Sequence, residues 1–533
     1  MKNKEDNKTT INDTKKTYYI TTPIYYPSGQ WHIGHCYTSI NCDALARYYR
    51  LKGFDVCYST GNDEHGQKIA KVAATLKKGC QEYVDERAKS ILNLWQKCDV
   101  QFDRFIRTTD KEHQQKIQNI FKKLYNNGDI YKGTYSGKYC TPCESFWTDN
   151  QLIDGNCPDC GRETTYAEEE CYFFRLSAYS ERILKLLTQT NFLEPKSRVN
   201  EMVAFIKEGL TDLAVTRTSV EWGVKVPFDE KHTIYVWIDA LSNYITLLGY
   251  DSELDNQSDD FQKFWPANLH MVGKEIVRFH AIIWPAILMA LQLPLPKKIF
   301  GHGWLLLDGD KMSKSKGNVI DPIKLIDKYG VDAFRYYLLS EVPFGNDGAY
   351  TTELFLHRIN TDIVNSYGNL VRRTLSMATQ NFEEDISNTQ IVIKEEDNEF
   401  LQLIKNTPNW LDEDISALKV SSAITKVFEL ISQSNKYIDM TKPWVLAKDQ
   451  NTKNRLMTVL FNLLEAIRVS SALLMPFMTQ GPQKVLQAIG IDTSTIQYEQ
   501  LTKLGAIQQY SITPLDILYP RIDITKELKE ILQ

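Results

Sequence analysis

Cysteine vanishes from the chain after Cys171: all ten lie between Cys36 and that position, and roughly the last two thirds have none. A large secreted protein would not confine its disulfides to one stretch, and cytosolic enzymes avoid them, so a reducing compartment, the cytoplasm, is expected. No run of about eighteen apolar residues is present, so no membrane span is expected. The opening stretch, MKNKEDNKTTINDTKK, lacks the apolar core of a signal peptide and the arginine-rich bias of a transit peptide. Its mixed charge reads as a disordered tail over residues 1–16. Positive charge is not in excess either. A formal net charge of -5 excludes a polycation that coats nucleic acid, while local patches leave RNA open as a partner. No internal repeat recurs at a fixed period. What is present is an ordinary globular composition, 43% apolar and 24% charged over 533 residues, enough for three or four units.

Residues 17–134 alternate strand-like and helix-like runs: a strand over 18–26, a helix over 34–52 closed by Gly53, a strand over 54–60, and a helical run over 67–78. Such alternation implies a parallel sheet with ligands outside the carboxyl ends of its strands. From Tyr135 to about residue 230 the texture becomes short, turn-rich and cysteine-bearing, as in an insertion. The α/β pattern resumes with TIYVWIDALSNY and runs to about residue 350, so the sheet is split. Residues 351–533 are almost wholly helical in pattern, with Phe355, Ile359, Ile363, Tyr367 and Val371 forming one stripe.

Two stretches carry chemistry. His32 and His35 of HIGH stand where the first strand hands over to a helix, whose free N–H groups and positive dipole end favour an anion. Read locally, both fall on one face of the first turn, and their imidazoles can donate to phosphate oxygens. Alone the pair is a modest signal, since histidines also cap helices. GDKMSKSKGNV places Lys311, Lys314 and Lys316 within six residues, and residues 297–316 carry a formal +3 inside an acidic protein. A mobile lysine loop can close over polyphosphate charge, although lysine clusters are usually solvated.

CTPC and CPDC set Cys140, Cys143, Cys157 and Cys160 as two C-x2-C pairs thirteen residues apart. Two tight turns of this kind complete a tetrahedral four-sulfur site, the pattern of a zinc ribbon. The reducing compartment argues against disulfides, and the lack of a βαβ pattern there argues against a redox pair. Four thiolates leave no open position, so one Zn2+ is expected in a structural role.

HIGH after the first strand and KMSKS late in the second half of a split α/β domain resemble the signature of class I aminoacyl-tRNA synthetases. TTPIYYPSGQWHIGH, GNDEHGQKI, YVWIDALSNY, VGKEIVRFHAIIWPAIL and EVPFGNDGAY narrow the resemblance to the methionyl-tRNA synthetases, over about residues 17–520. The insert, under a hundred residues, leaves no room for the editing domain of the leucine, isoleucine and valine enzymes. A cysteine enzyme would need an open zinc site, and a small nucleotidylyltransferase would not carry the long helical tail.

That resemblance implies a Rossmann-like parallel-sheet catalytic domain (17–134 and 231–350) split by a zinc-knuckle insertion (135–230). An all-α helical-bundle anticodon-binding domain (351–533) follows. It implies that His32, Gly34 and His35, with Lys311 and Lys314, bind ATP, and that the histidines and lysines stabilise its reacting phosphates, with Mg2+ alongside. It implies a methionine pocket of Ile24, Tyr26, Asp63, Trp237, Ala240, Leu241, Tyr244, Ile276 and His280. In that pocket Asp63 would pair with the substrate ammonium, and a Tyr hydroxyl or His N–H would donate to the thioether sulfur. It also implies contact between Asn365, Asn369 and Trp444 and the CAU anticodon of tRNA(Met), the initiator included. Judged without the resemblance, Trp237, Tyr244 and Ile276 read as core, Asp63 as a turn residue, Trp444 as a core anchor and the asparagines as solvated. The chain ends soon after YPRID, so no appended tRNA-binding and dimerisation module is expected, which favours a monomer.

Overall fold

The computed structural model describes residues 15–532 apart from 144, 148, 308–309, 312–319, 343, 382–390 and 508. TYYIT, rich in β-formers, builds β1 (Thr17–Thr21) at the middle of a six-stranded sheet. The others are β2 (Asp55–Asn62), β3 (Arg104–Arg107), β4 (Leu193–Glu194), β5 (Leu269–Gly273) and β6 (Ile299–His302). Their order is β3-β2-β1-β5-β6-β4, and every pair is parallel.

Both faces of this sheet are covered, as parallel sheets require. Along β1, Tyr18 and Ile20 enter one apolar core with α1 (Ile33–Leu51), while Tyr19 enters the other with α2 (Lys111–Asn126) and α3 (Val236–Thr246). Full burial of each such side chain stabilises the fold by about 1.5–3 kcal/mol.

The core on the α1 side continues without a break into the helical region after residue 351. Arg335, on α4 (Val331–Ser340), is fully buried, lies 2.6 Å from Asp43 of α1, and donates to the carbonyls of Pro476 and Phe477 at 3.0 and 3.1 Å. Removing one partner would strand a buried charge, at a cost of about 3–5 kcal/mol. The pair therefore ties α1 to the helical region.

In that region Phe355, Ile359, Ile363, Tyr367 and Val371 are all buried. A strict four-residue repeat drifts by about 40° per step on an α-helix of 3.6 residues per turn. The chain absorbs the drift by widening to π-helical turns over Ile359–Gly368, between helices Thr352–Arg358 and Asn369–Asn381. Gln450–Leu474 is, among the described residues, the one segment apolar and long enough to cross a membrane, and it is almost entirely buried inside the helical region.

Strand Ile130–Cys140 runs across residue 135, where the insertion was expected to begin, and pairs antiparallel with Thr165–Phe174. β4, from within the expected insertion, adds to the edge of the main sheet. The inserted chain thus leaves the sheet as a long ribbon and returns to it before residue 230. The strand signal was weak at β4 because only two residues pair there.

Candidate active site

The opening of α1 explains the glycine between the two histidines. His32 is the N-cap, with extended backbone, and its Nδ1 accepts the N–H of Gly34 at 3.1 Å. His35, the third helical residue, accepts the N–H of His32 on its own Nδ1 at 3.2 Å. Two helix-end donors are thereby satisfied reciprocally. A Cβ at Gly34 would come within 2.9 Å of His32 Cε1, so the capping ring, where it stands, leaves room for hydrogen only.

The sequence reading put both histidines inside the first turn. The structure instead makes one the cap and one the N3 residue, with ring centroids 4.0 Å apart. A neutral His32 ring that accepts on Nδ1 carries its proton on Nε2, whereas His35 Nδ1 lies 3.2 Å from the His32 N–H and 3.3 Å from the His32 carbonyl, so that contact accommodates either tautomer.

The sheet supplies the rest. β2 and β5 flank β1 on opposite sides, and the crevice outside the carboxyl ends at such a switch point is where α/β sheets bind ligands. Ile24 and Tyr26 follow β1, Asp63 follows β2, Ile276 and His280 follow β5, and α3 presents Trp237, Ala240, Leu241 and Tyr244. All nine line one cavity of about 250 Å3. That is smaller than the ~300–1,000 Å3 of pockets for drug-sized molecules, and its mostly apolar wall with a few polar groups suits one amino-acid side chain.

Asp63 is 7% exposed, and its backbone N–H donates to Tyr25 O at 3.0 Å. Glu64 beside it is held by Arg107 Nε at 2.8 Å. The sequence reading missed Pro23, Lys68, Pro142, Cys143, Tyr235 and Phe279, which line the same cavity. Phe279 stacks on Trp237, centroids 3.6 Å apart. Its closeness in sequence to His280 was the available signal.

Tyr244 Oη lies 2.7 Å from His280 Nε2, and His280 Nδ1 lies 3.0 Å from Ile276 O. A carbonyl only accepts, so Nδ1 carries the ring proton. Burial lowers the His280 pKa to about 4, so the neutral ring accepts the Tyr244 hydroxyl proton on Nε2. The Tyr244 and His280 protons are thus engaged within the protein, inside a polarizable, aromatic surround.

The lysine stretch is rooted beside α1. His302, ending β6, faces Thr38 Oγ1 of α1 through Nε2 at 2.8 Å. Strand Leu305–Leu307 then pairs with Asp310–Lys311, Leu306 opposite Lys311. Lys314 and Lys316 lie outside the described residues.

The four thiols of Cys140, Cys143, Cys157 and Cys160 lie within 4.8 Å of one another. Cys140 and Cys160 Sγ are 3.6 Å apart, close to the ~3.8 Å edge of a tetrahedron with ~2.3 Å zinc–sulfur bonds. The donor set fits a tetrahedral thiophilic ion. Burial pushes the Cys140 thiol up to about 11, a shift that a bound cation would reverse. The knuckle abuts the cavity through Pro142 and Cys143, and Arg278 reaches across to Asp159 at 3.4 Å.

Asn365 and Asn369 line a second hollow, of about 790 Å3, walled on the other side by residues 514–519 and Arg521. Trp444 is the second residue of helix Pro443–Leu446 and is 45% exposed, so it is no core anchor. It is not among the residues lining that hollow.

A family model described as "tRNA synthetases class I (M)" matches residues 18–169 and 160–375. The methionine–tRNA ligase of Caldanaerobacter subterraneus subsp. tengcongensis is 54% identical over 516 residues, 96% of this chain and 80% of that protein. The chain belongs to the methionyl-tRNA synthetase family. The Bacillus subtilis member is 48% identical over 96% of this chain and 79% of its own length. The structure of Mycobacterium tuberculosis methionyl-tRNA synthetase with methionyl-adenylate superposes with a TM-score of 0.90 at 37% identity, covering 95% of this chain and all of that one. Membership of this family accords with the split parallel sheet, the thiol knuckle and the helical region.

Proposed function

We propose that this chain is a methionine–tRNA ligase that joins methionine to ATP, forming methionyl-adenylate and pyrophosphate, and then passes the methionyl group to tRNA(Met). The observation that carries the reading is the convergence of nine side chains, drawn from four separate stretches of sequence, on one amino-acid-sized cavity.

Methionine's carboxylate is already ionised, so it attacks the α-phosphate in line without a general base. Catalysis then rests on positioning and on charge stabilisation. Asp63 pairs with the ammonium, and Trp237, Tyr244 and Ile276 enclose the side chain. The rings of His32 and His35 bind phosphate oxygens, with Gly34 permitting their approach. Lys311 and Lys314 act on the same phosphates. Mg2+ bound with ATP neutralises part of the phosphate charge. The terminal ribose hydroxyl of the tRNA then attacks the adenylate carbonyl, and AMP leaves.

Cys140, Cys143, Cys157 and Cys160 hold one structural Zn2+, which fixes the knuckle against the cavity. Asn365, Asn369 and Trp444 meet the CAU anticodon of elongator and initiator tRNA(Met) alike, the amides by hydrogen bonding and the indole by stacking. Charging of tRNA(Met) transcripts tests the whole reading. Methionine should be esterified to transcripts with a CAU anticodon and not to those with a substituted one. Equal charging of both would remove the anticodon assignment, and no charging of either would remove the ligase assignment.

A further inference from the structure

The wall of the cavity and the group expected to hold the substrate ammonium stand on different elements, far apart in sequence, and a buried carboxylate joins them. Asp239 is on α3, between Trp237 and Ala240, and is itself fully buried. One of its oxygens accepts from His65 Nδ1 at 2.7 Å and the other from His113 Nε2 at 2.8 Å. His65 stands two residues after Asp63 in the same turn. His113 belongs to α2, and its Nδ1 faces Thr246 Oγ1, at the end of α3, at 2.8 Å. Burial alone would raise the Asp239 carboxyl, yet the two imidazoles hold it at about 2.

The turn is gripped from its other side as well. Trp222 Nε1 donates to Glu64 O at 2.7 Å and the Gly66 N–H to Trp222 O at 3.1 Å. Neither histidine lines the cavity, so their effect on substrate passes through Asp63 and α3.

We propose that Asp239, with His65 and His113, is a positioning group that sets Asp63 against the α3 wall, so that methionine's ammonium and side chain are held in register together. The proposal rests on the reading of Asp63 as the ammonium partner. A buried charge bonded to both elements holds that spacing more rigidly than apolar contact, because either bond alone leaves the other half of the carboxylate unsatisfied.

Methionine-dependent ATP–pyrophosphate exchange tests it. His65→Ala should raise KM for methionine about tenfold or more, with kcat and KM for ATP within about twofold, the size of effect expected for one lost charge-assisted bond. An asparagine amide N–H stands where histidine Nδ1 does, and a glutamine amide where Nε2 does. His65→Asn should therefore recover most of the loss and His65→Gln little, while at position 113 the pattern should reverse. The des-amino analogue 4-(methylthio)butanoate, used as a competitive inhibitor, should keep its Ki within about twofold in His65→Ala, since it has no ammonium for Asp63 to meet.

A Ki that rises in step with KM, or equal rescue by Asn and Gln at both positions, would overturn the positioning role. Asp63→Asn separates the two levels. If it leaves KM for methionine unchanged, the ammonium reading fails and the inference with it. If it raises KM while His65→Ala does not, the ammonium reading stands and the inference alone fails.

Discussion

Tyr244 Oη and His280 Nε2 are 2.7 Å apart inside the cavity, with the hydroxyl donating and the neutral ring accepting. The His280 proton goes to Ile276 O, so the two residues form a closed relay in the cavity wall. Tyr244→Phe leaves Nε2 a buried acceptor without its donor, which costs about 1–3 kcal/mol. Methionine affinity should fall by roughly tenfold to a hundredfold, read from KM in pyrophosphate exchange. An unchanged KM would show that the relay does not shape the pocket.

The same relay gives stability a pH dependence of known sign. His280 titrates near 4 when folded and near ~6.5 when unfolded. Between those values the unfolded chain binds the extra proton, so this contribution is complete above about pH 6.5 and is lost as pH falls towards 4. His270, buried beside Tyr244, is also pushed down by burial and acts in the same direction. Urea midpoints should drop across this window, and His280→Gln should flatten the drop. Identical slopes in the two proteins would contradict the assignment.

Lys314→Ala should slow adenylate formation by about a hundredfold to a thousandfold, as loss of one transition-state donor does elsewhere. Methionine binding, measured by fluorescence titration, should hardly change. His35→Ala should behave alike, because its ring is assigned to the same phosphates. Unchanged exchange in either variant removes that residue from the mechanism.

Zinc analysis should give one ion per chain. Cys157→Ser should release it and raise KM for methionine, because Pro142 and Cys143 belong to the cavity wall. Metal-free protein with wild-type KM would separate the knuckle from the site.

Trp444→Ala should raise KM for tRNA by about tenfold to a hundredfold, matching the ~1–3 kcal/mol of a stacked base. Exchange without tRNA should stay at the wild-type rate. Loss of both activities would return Trp444 to a structural role.

Much of this was legible in the sequence where the signal is local. The first two strands, the HIGH glycine step, the two C-x2-C turns and the buried stripe each fall within a few consecutive residues. The structure moved His32 from the first turn to the cap because side-chain hydrogen bonding, which periodicity cannot carry, decides the helix start. β4 was missed because a two-residue strand has no alternation to read. The His65–Asp239–His113 bonds join positions 174 and 126 residues apart, and no single-sequence pattern connects them. Phe279 and Pro142 reach the cavity only through tertiary packing. The resemblance to a known family had named the pocket residues that local reasoning would have left in the core.

The most direct test of the central claim is ATP–pyrophosphate exchange with a panel of amino acids supplied one at a time. Methionine should drive exchange at least about a hundredfold faster than leucine, isoleucine, valine or cysteine, since the cavity selects by shape and polarizability. Exchange that is driven equally by another member of the panel, or that does not depend on any of them, would contradict the account.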